Sequence, residues 1–564
     1  MIQIPSLLTD RLRYGLRLNP KLGAGNFLHH AYAINAGREI PLVHSDEPFE
    51  VLGGRRLSVM SIAELKDITD RYAAWFLAHS ITPMDPVAVY CRENVQYLIQ
   101  YIALTAIGAV PVLTNGTMRA DVATQHFRRI GVVGIVTDRD HRAALAPYFG
   151  NGDLKLLHTL EDIPEDVPSD LPPWFPFEHD HHHPVMITHS SGTTGDPKPI
   201  VLEHGTWFYG IRQLLGLDTA QGADRYLSSL PTSHNASIAY AMHAILNGAA
   251  LMIMADHSGV SVARTIERFR PATVVSFPQT FVDLAALDLD GFDLNSVTTW
   301  INSGDAAHEA HIRRLVAHGF HYRGDQRVPG SQFVDGLGSS EMGHSSFRII
   351  HTPYTDSYDR CVGIPQSWVE ATVFDSGGQP APIGVIGRLG IHSPSVTAGY
   401  WNDSLLTYKS RRHGYWLTGD LAYRDRLGCY YHVDRVSDVI PTRDGPLYSL
   451  QTEELILKHQ GSRLVDCTVI GVTEEGTDAG TQVPVVLAVP RTGCSVDTAA
   501  LLNEINQAQA CKNRPSLAQA YFVDWSEVPL GVTGKVLKRT LREQFESGAR
   551  RLERTSRLGA GTRG

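Results

Sequence analysis

The sequence predicts an α/β protein in two parts. A large multi-subdomain N-terminal domain, residues 1–435, holds two α/β layers plus a β-barrel-like subdomain, and a small α+β C-terminal domain, residues 436–564, follows it. Three observations carry this expectation. Strand-like and helix-like segments alternate along the first half. After about residue 360 short strands separated by Gly, Asp and Pro take over. Near residue 436 the pattern changes again, to a helix, two apolar strands and another helix.

The elements follow in order. Residues 61–80 (SIAELKDITDRYAAWFLAHS) place apolar side chains at helical spacing, and 86–90 (PVAVY) form a short β-branched run. NVQYLIQYIALTAIG reads as a second helix, AVPVLT as a strand, 119–131 as an amphipathic helix and VVGIVTD as a strand. ERFRPATVVSF at 267–277 leads into PQTFVDLAAL, a helix with proline near its first turn. Residues 140–185 are rich in Pro, Asp and His, and their end, with HDHHH at 179–183, reads as a surface connection. VEATVFDSGGQP, GRLGIHS and GYWLTGDLAYRDRLGCYYHV suit antiparallel β structure. Residues 450–460 and 496–510 suit helices, and LVDCTVIGV and PVVLAVP suit strands. The basic, Gly-rich tail reads as frayed.

Composition narrows the class. The 564 residues allow about three or four structural units at roughly 150 residues each. Lys+Arg number 50 against Asp+Glu 59, a net charge of −9, so nucleic acid is not an expected partner. The six cysteines form no C-x-x-C pair, which suits a reducing cytosol. The N-terminus lacks a secretory h-region and no apolar run reaches the length of a membrane span, so a cytoplasmic protein is expected.

The most informative stretch is ITHSSGTTGDPKPIVLEHG at 187–205. Ser190, Ser191, Thr193 and Thr194 supply hydroxyls, Gly192 and Gly195 permit tight turns with exposed N–H groups, and Lys198 supplies a positive charge. Such a set suits a polyphosphate. The spacing is not that of a P-loop, and prolines on both sides of Lys198 keep it out of a helix start. On composition alone the stretch is either a flexible Ser/Gly/Thr loop or a phosphate cradle. HDHHH is similarly open between a solvated loop and a metal site, with four histidines in five residues poorly placed to converge on one ion.

S-S-G-T-T-G-x-P-K resembles the signature loop of the adenylate-forming superfamily, which includes acyl-CoA synthetases, nonribosomal peptide synthetase adenylation domains and luciferase. Other stretches resemble that family in the same order: GAVPVLTNGTMRADVATQHFRRIGVVGIVTD, INSGDAA at 301–307, LGSSE at 337–341, GYWLTGDLAYRDRLGCYYHVDR at 414–435 and GVTGKVLKR at 531–539. The resemblance implies ATP and Mg²⁺ as cofactors. It implies a nucleotide site built from Ser190, Ser191, Gly192, Thr193, Thr194, Gly195, Gly304, Asp305, Ala306, Leu337, Gly338, Ser339, Ser340, Asp420 and Arg435. Glu341 and Thr194 would hold the metal, Lys198 would neutralise phosphate, and Lys535 would be the catalytic lysine on a mobile C-terminal domain. Standing alone, Glu341 is a loop carboxylate, Asp420 a turn-stabilising aspartate, Arg435 a surface ion-pair partner and Lys535 a solvated lysine.

LPTSHNASIAY at 230–240 resembles the family's acyl-pocket region, with His234 between the carboxylate site and the thiol channel. Asn235 stands where amino-acid-activating members carry an aspartate, which disfavours an α-amino acid. A substrate pocket of His234, Asn235 and Gly338 is similar to that of aryl-acid-activating members. The implied activity is conversion of a small-molecule carboxylic acid to its acyl-adenylate, then to a thioester with CoA. The alternatives are loading onto the phosphopantetheine of a separate carrier protein, or transfer to a non-thiol acceptor such as an amine. The hinge segment motivates the last: Ser437 stands at the hinge and Pro441 takes a lysine's place. Elsewhere Pro199 follows the loop lysine, Leu337 replaces the aromatic residue that packs on adenine, and Arg388 replaces a glutamate.

Overall fold

The computed structural model describes residues 9–35, 37–150, 152–168, 170–190, 197–215, 225–473, 480–494, 497–531 and 534–546. Pro86–Tyr90 is buried at every position and lies inside a six-stranded sheet. Its strand order is 156–159, 134–137, 86–90, 110–113, 184–189, 199–203. All neighbours run parallel except the last, which folds back antiparallel. Parallel neighbours need long crossovers, here the helices Gln96–Ala106 and Ala120–Ile130. Burial on both faces is why these strands are continuous apolar runs and not alternating ones. The helix predicted at 61–80 spans Ile62–Ala78, and Ser61 and Glu64 cap it reciprocally.

A second sheet begins parallel, with strands Pro41–Val51, Ala250–Ile253, Arg225–Ser229, Thr273–Ser276, Thr299–Asn302 and Gln332–Asp335 side by side. Phe347–His351 and Cys361–Pro365 turn it antiparallel. The ladder then continues through 430–435, 415–424, 387–392 and 370–374. The molecule is thus a mixed α/β protein with a large N-terminal part and a smaller C-terminal one. Among the described residues no helix is long and apolar enough to cross a membrane.

Beyond Arg435 the chain folds around its own apolar cluster, with Ile456, Val469, Val486 and Ile505 at its centre. The strands are Leu464–Val472, Val483–Pro490 and Gln519–Phe522, and the helices are Ser449–Gln460 and Thr498–Ala510. Past its first residue, Glu546, the predicted tail lies outside the described residues.

The end of the 140–185 stretch packs more closely than a solvated connection. His181 and His182 are exposed. His179 stacks on His204 at 4.9 Å, and its Nε2 lies 2.9 Å from the Thr105 carbonyl. Burial lowers these two histidines to about 4 and about 3, so both are neutral. Among the described residues no group of three or more His, Cys, Asp or Glu could hold a metal ion.

One buried charge pair anchors the end of the chain. Lys538 Nζ lies 2.7 Å from Glu453 Oε1 and 2.6 Å from Ser449 Oγ. The same Glu453 oxygen accepts from Val469 N–H at 2.7 Å. Removing one partner of such a pair leaves the other charge buried alone. Lys538→Ala is therefore expected to lower the unfolding free energy by about 3–5 kcal/mol, read by denaturant titration; an unchanged midpoint would mean that Glu453 finds water instead.

Candidate active site

Three loops leave the carboxyl ends of neighbouring parallel strands, where α/β sheets place ligands. They begin at Phe277, Ser303 and Gly336. Asp335 ties two of them together. Asn302 Nδ2 donates to Asp335 Oδ1 at 2.7 Å and to the Asp305 carbonyl at 2.6 Å, and Gly336 and Ala307 N–H also donate to Asp335. Burial pushes Asp335 up to about 6 against these donors. Gly304 takes φ +101°, which favours glycine there, and its carbonyl accepts from Gly338 N–H at 3.1 Å.

Asp305 is the centre of the charge arrangement. Its carboxylate receives Arg435 Nη2 and Lys535 Nζ, both at 2.9 Å. Arg435 Nε lies 3.0 Å from Asp420, and His432 Nε2 lies 3.3 Å from the same carboxylate. Burial opposes the charge on Asp305, yet Arg435 and Lys535 hold it well below the usual carboxylate range. Asp420 is likewise lowered against its burial, chiefly by Arg435. Burial lowers Lys535, with Asp305 opposing that shift. Gly534 brings Lys535 in: it has φ +71°, and a Cβ there would sit 2.4 Å from Gln279 Cβ.

Beside this cluster lies a cavity of about 800 Å³. Its polar lining includes Ser190, Lys198, Gly304, Ser339, Ser340, Glu341, Arg348, Arg388, Lys409, Arg435 and Lys535, and Ser437 also lines it. Its other walls are largely apolar or aromatic: Ile211, Leu214, Tyr226, Ala239, Phe277 and Val334. His234 caps the helix Asn235–Leu246, its Nδ1 accepting from Ala236 N–H at 3.1 Å. That assigns the proton to Nε2. Burial lowers His234 to about 3, so the ring is a neutral N–H donor, set edge-on to Phe277 at 5.0 Å. Asn235 Oδ1 accepts from Ser340 Oγ at 2.9 Å, so its oxygen is engaged, and its NH₂ group has no partner among the described residues.

The structure separates the sequence-derived candidates. Lys535, Arg435, Asp305 and Asp420 converge, and Lys198, His234, Asn235, Gly304, Gly338, Ser339, Ser340 and Glu341 share the cavity. Ala306 faces a neighbouring cleft. Leu337 is 1% exposed and packs in the apolar core instead of lining the cavity, and its carbonyl is taken by Ser346 N–H at 2.9 Å. Ser191, Gly192, Thr193, Thr194 and Gly195 lie outside the described residues. Tyr400 donates to Glu341 Oε1 at 3.1 Å; no other side-chain hydrogen bond is made by this carboxylate among the described residues, which fits a hard cation.

Sequence reasoning missed Glu93, which accepts from Asn115, Thr232 and both the N–H and hydroxyl of Ser233, and so sets the loop that ends in His234. No local signal marks it. It also missed Tyr240 and His243, which the spacing 236, 240, 243 places on the cavity face of one helix.

Asp305→Asn removes the anion that favours charged Lys535. The lysine pKa, already lowered by burial, is expected to fall further. The alkaline limb of kcat/KM for ATP, in a pyrophosphate-release assay, should therefore move to lower pH. An unmoved limb would mean that Asp305 does not control the lysine.

Known proteins place this geometry. Residues 46–401 match the model of the AMP-binding enzyme family. The chain is 40% identical over 556 residues, 96% of its length and 99% of the relative's, to a 3-aminoavenalumate diazotase of a Streptomyces species. It is 25% identical over 91% of its length, and 94% of the relative's, to a 3-amino-2-hydroxy-4-methoxybenzoate diazotase of Streptomyces cremeus. Its fold matches that of an anthranilate CoA ligase in complex with anthranoyl-AMP, with a TM-score of 0.79 at 18% identity over 96% of this chain and 100% of that one. The chain belongs to the AMP-binding enzyme family and is an adenylate-forming enzyme.

Proposed function

We propose that this enzyme uses ATP and nitrite to diazotise an aromatic amine. The observation that carries the reading is the 40% identity, spread over nearly both chains, to a diazotase. The altered hinge segment, with Ser437 and Pro441 where thiol-transferring members carry other residues, supports a non-thiol acceptor. The apolar and aromatic cavity walls suit an aryl group.

The chemistry is adenylation with a different anion. Nitrite, like a carboxylate, is a bent monoanion with two oxygens. One oxygen attacks the α-phosphorus of ATP and expels pyrophosphate, giving a mixed anhydride of nitrous acid and AMP. The amine nitrogen then attacks the nitroso nitrogen, and AMP leaves with the N–O bond's electron pair. The N-nitrosoamine loses its remaining amine proton and, after protonation on oxygen, water, to leave the diazonium.

This chain's residues divide the work by charge and position. Lys535 bridges the attacking anion and the α-phosphate, Lys198 neutralises phosphate, Asp420 takes the ribose hydroxyls, and Arg435 lies between ribose and phosphates. Ser190 with the Ser191–Gly195 loop cradles the phosphates, beside the Gly304–Ala306 and Gly338–Ser340 loops. Glu341, with Thr194, would hold Mg²⁺, which supplies charge neutralisation. His234 offers its neutral N–H to the reacting anion. In this reading residues 436–564 form the mobile domain that carries Lys535, with Ser437 as its hinge. A second reading keeps the same parts but adenylates an aryl acid and passes it to CoA or a carrier thiol; the His234–Asn235 pair, which resembles that of aryl-acid-activating members, favours it.

Two measurements test this. With ATP, Mg²⁺ and a panel of aminoaryl acids, pyrophosphate release should require nitrite, and ¹⁵N-nitrite should place the label in the trapped azo product. Nitrite-independent release with a thioester of CoA or carrier as product would replace this reading with the second. Lys535→Ala should slow adenylation roughly 10²–10³-fold and affect transfer from the preformed mixed anhydride, or acyl-adenylate, much less. Equal losses in both steps would remove that role from Lys535.

A further inference from the structure

The cavity has a further charged group on its lining. Arg348 lies on strand Phe347–His351, directly after the buried Phe347, and its side chain lines the cavity. Its guanidinium makes no hydrogen bond or ion pair among the described residues, a costly arrangement only where no water reaches it, and Arg348 is exposed. Tyr240 is close enough to feel its charge: burial raises the Tyr240 hydroxyl and Arg348 opposes that shift. Tyr240 therefore stays protonated, and its hydroxyl has no partner among the described residues. His243 lies one turn further along the helix, lowered by burial to about 4 and thus neutral. Gln366 lines the same cavity.

Among the described residues five other cations line the cavity: Lys198, Arg388, Lys409, Arg435 and Lys535. Arg388 and Lys409 are exposed, on strand Gly387–His392 and at the end of the helix Ser404–Lys409, and of the six only Arg348 acts on the Tyr240 hydroxyl. Lys535 and Arg435 are committed to Asp305. Lys198 sits over the Tyr400 ring at 5.8 Å, on the side of Glu341. The acids on the lining are Asp335, which is held by Asn302, and Glu341, which takes the Tyr400 hydroxyl. An aromatic ligand in this cavity thus meets, besides the nucleotide machinery, a cation and a phenol donor that no protein group engages among the described residues. Arginine pairs with a carboxylate through two parallel N–H bonds.

We infer that Arg348, with the Tyr240 hydroxyl, binds a carboxylate on the aromatic amine, remote from its nitrogen, so that the amine points at His234 and Lys535 and the acid group is held away from the α-phosphorus. This deepens the proposed function and rests on it for the identity of the reacting group. It makes Arg348 a specificity-determining residue: the substrate is an aminoaryl carboxylic acid whose carboxylate is a handle and not the group adenylated.

The test uses 3-aminocinnamate and its primary carboxamide, with wild type, Arg348→Gln and Arg348→Lys. Diazonium is read by azo coupling. Arg348→Gln is expected to raise KM for 3-aminocinnamate roughly 10- to 100-fold at nearly constant kcat and to leave KM for the carboxamide nearly unchanged. Arg348→Lys should recover part of the loss. An equal shift for both compounds, or none, overturns the assignment. Should wild type form no diazonium, the proposed function fails, and calorimetric titration of the two compounds into AMP-saturated enzyme still reads Arg348. A carboxylate preference in wild type that Arg348→Gln abolishes supports the handle; no preference in wild type overturns it.

Discussion

The Asp305 carboxylate is the interaction on which the arrangement of the site depends. It sits between a guanidinium that ends one strand of the large sheet and an ammonium delivered by the C-terminal segment. Either cation alone would leave an unbalanced charge in a poorly solvated place. Together with Asp420 they form two anions and two cations in contact, and the mutual attraction outweighs the burial that opposes each ionised acid. The same contact goes with a close approach of Gly534 to Gln279, where a side chain on the glycine would not fit.

Around that clasp, burial is used to keep other groups uncharged. His234 and His243 are pushed far below their ordinary range and face the cavity as neutral rings. A positive charge at either would compete with Lys535 and Arg348 for an anion. The result is a cavity lined by cations, two engaged carboxylates and neutral imidazole and phenol dipoles, a surface suited to an aromatic ligand that carries polar groups.

Much of the fold was legible because it is written in local patterns. The helix over Ile62–Ala78 shows its apolar spacing and its Ser61–Glu64 cap within a few residues, and the buried parallel strands show as short apolar runs. The motif residues were legible one at a time, through resemblance. Leu337 illustrates where that stops: its motif position places it near a nucleotide, and packing turns its side chain into the core. Glu93 illustrates the opposite case, a loop glutamate with no pattern around it whose four donors come from residues 22 to 140 positions away.

By itself the sequence determined the α/β class, the order of its elements and the presence of a hydroxyl- and glycine-rich loop with a single lysine, because propensity, periodicity and turn chemistry act over a few neighbouring residues. Only the tertiary structure decided that Asp305, Asp420, Arg435 and Lys535 touch, that the Asn235 oxygen is consumed by Ser340, and that Arg348 and Tyr240 look into the same cavity. Those pairings join segments far apart in the chain, and burial and Coulomb attraction act on distance in space, which no local pattern encodes.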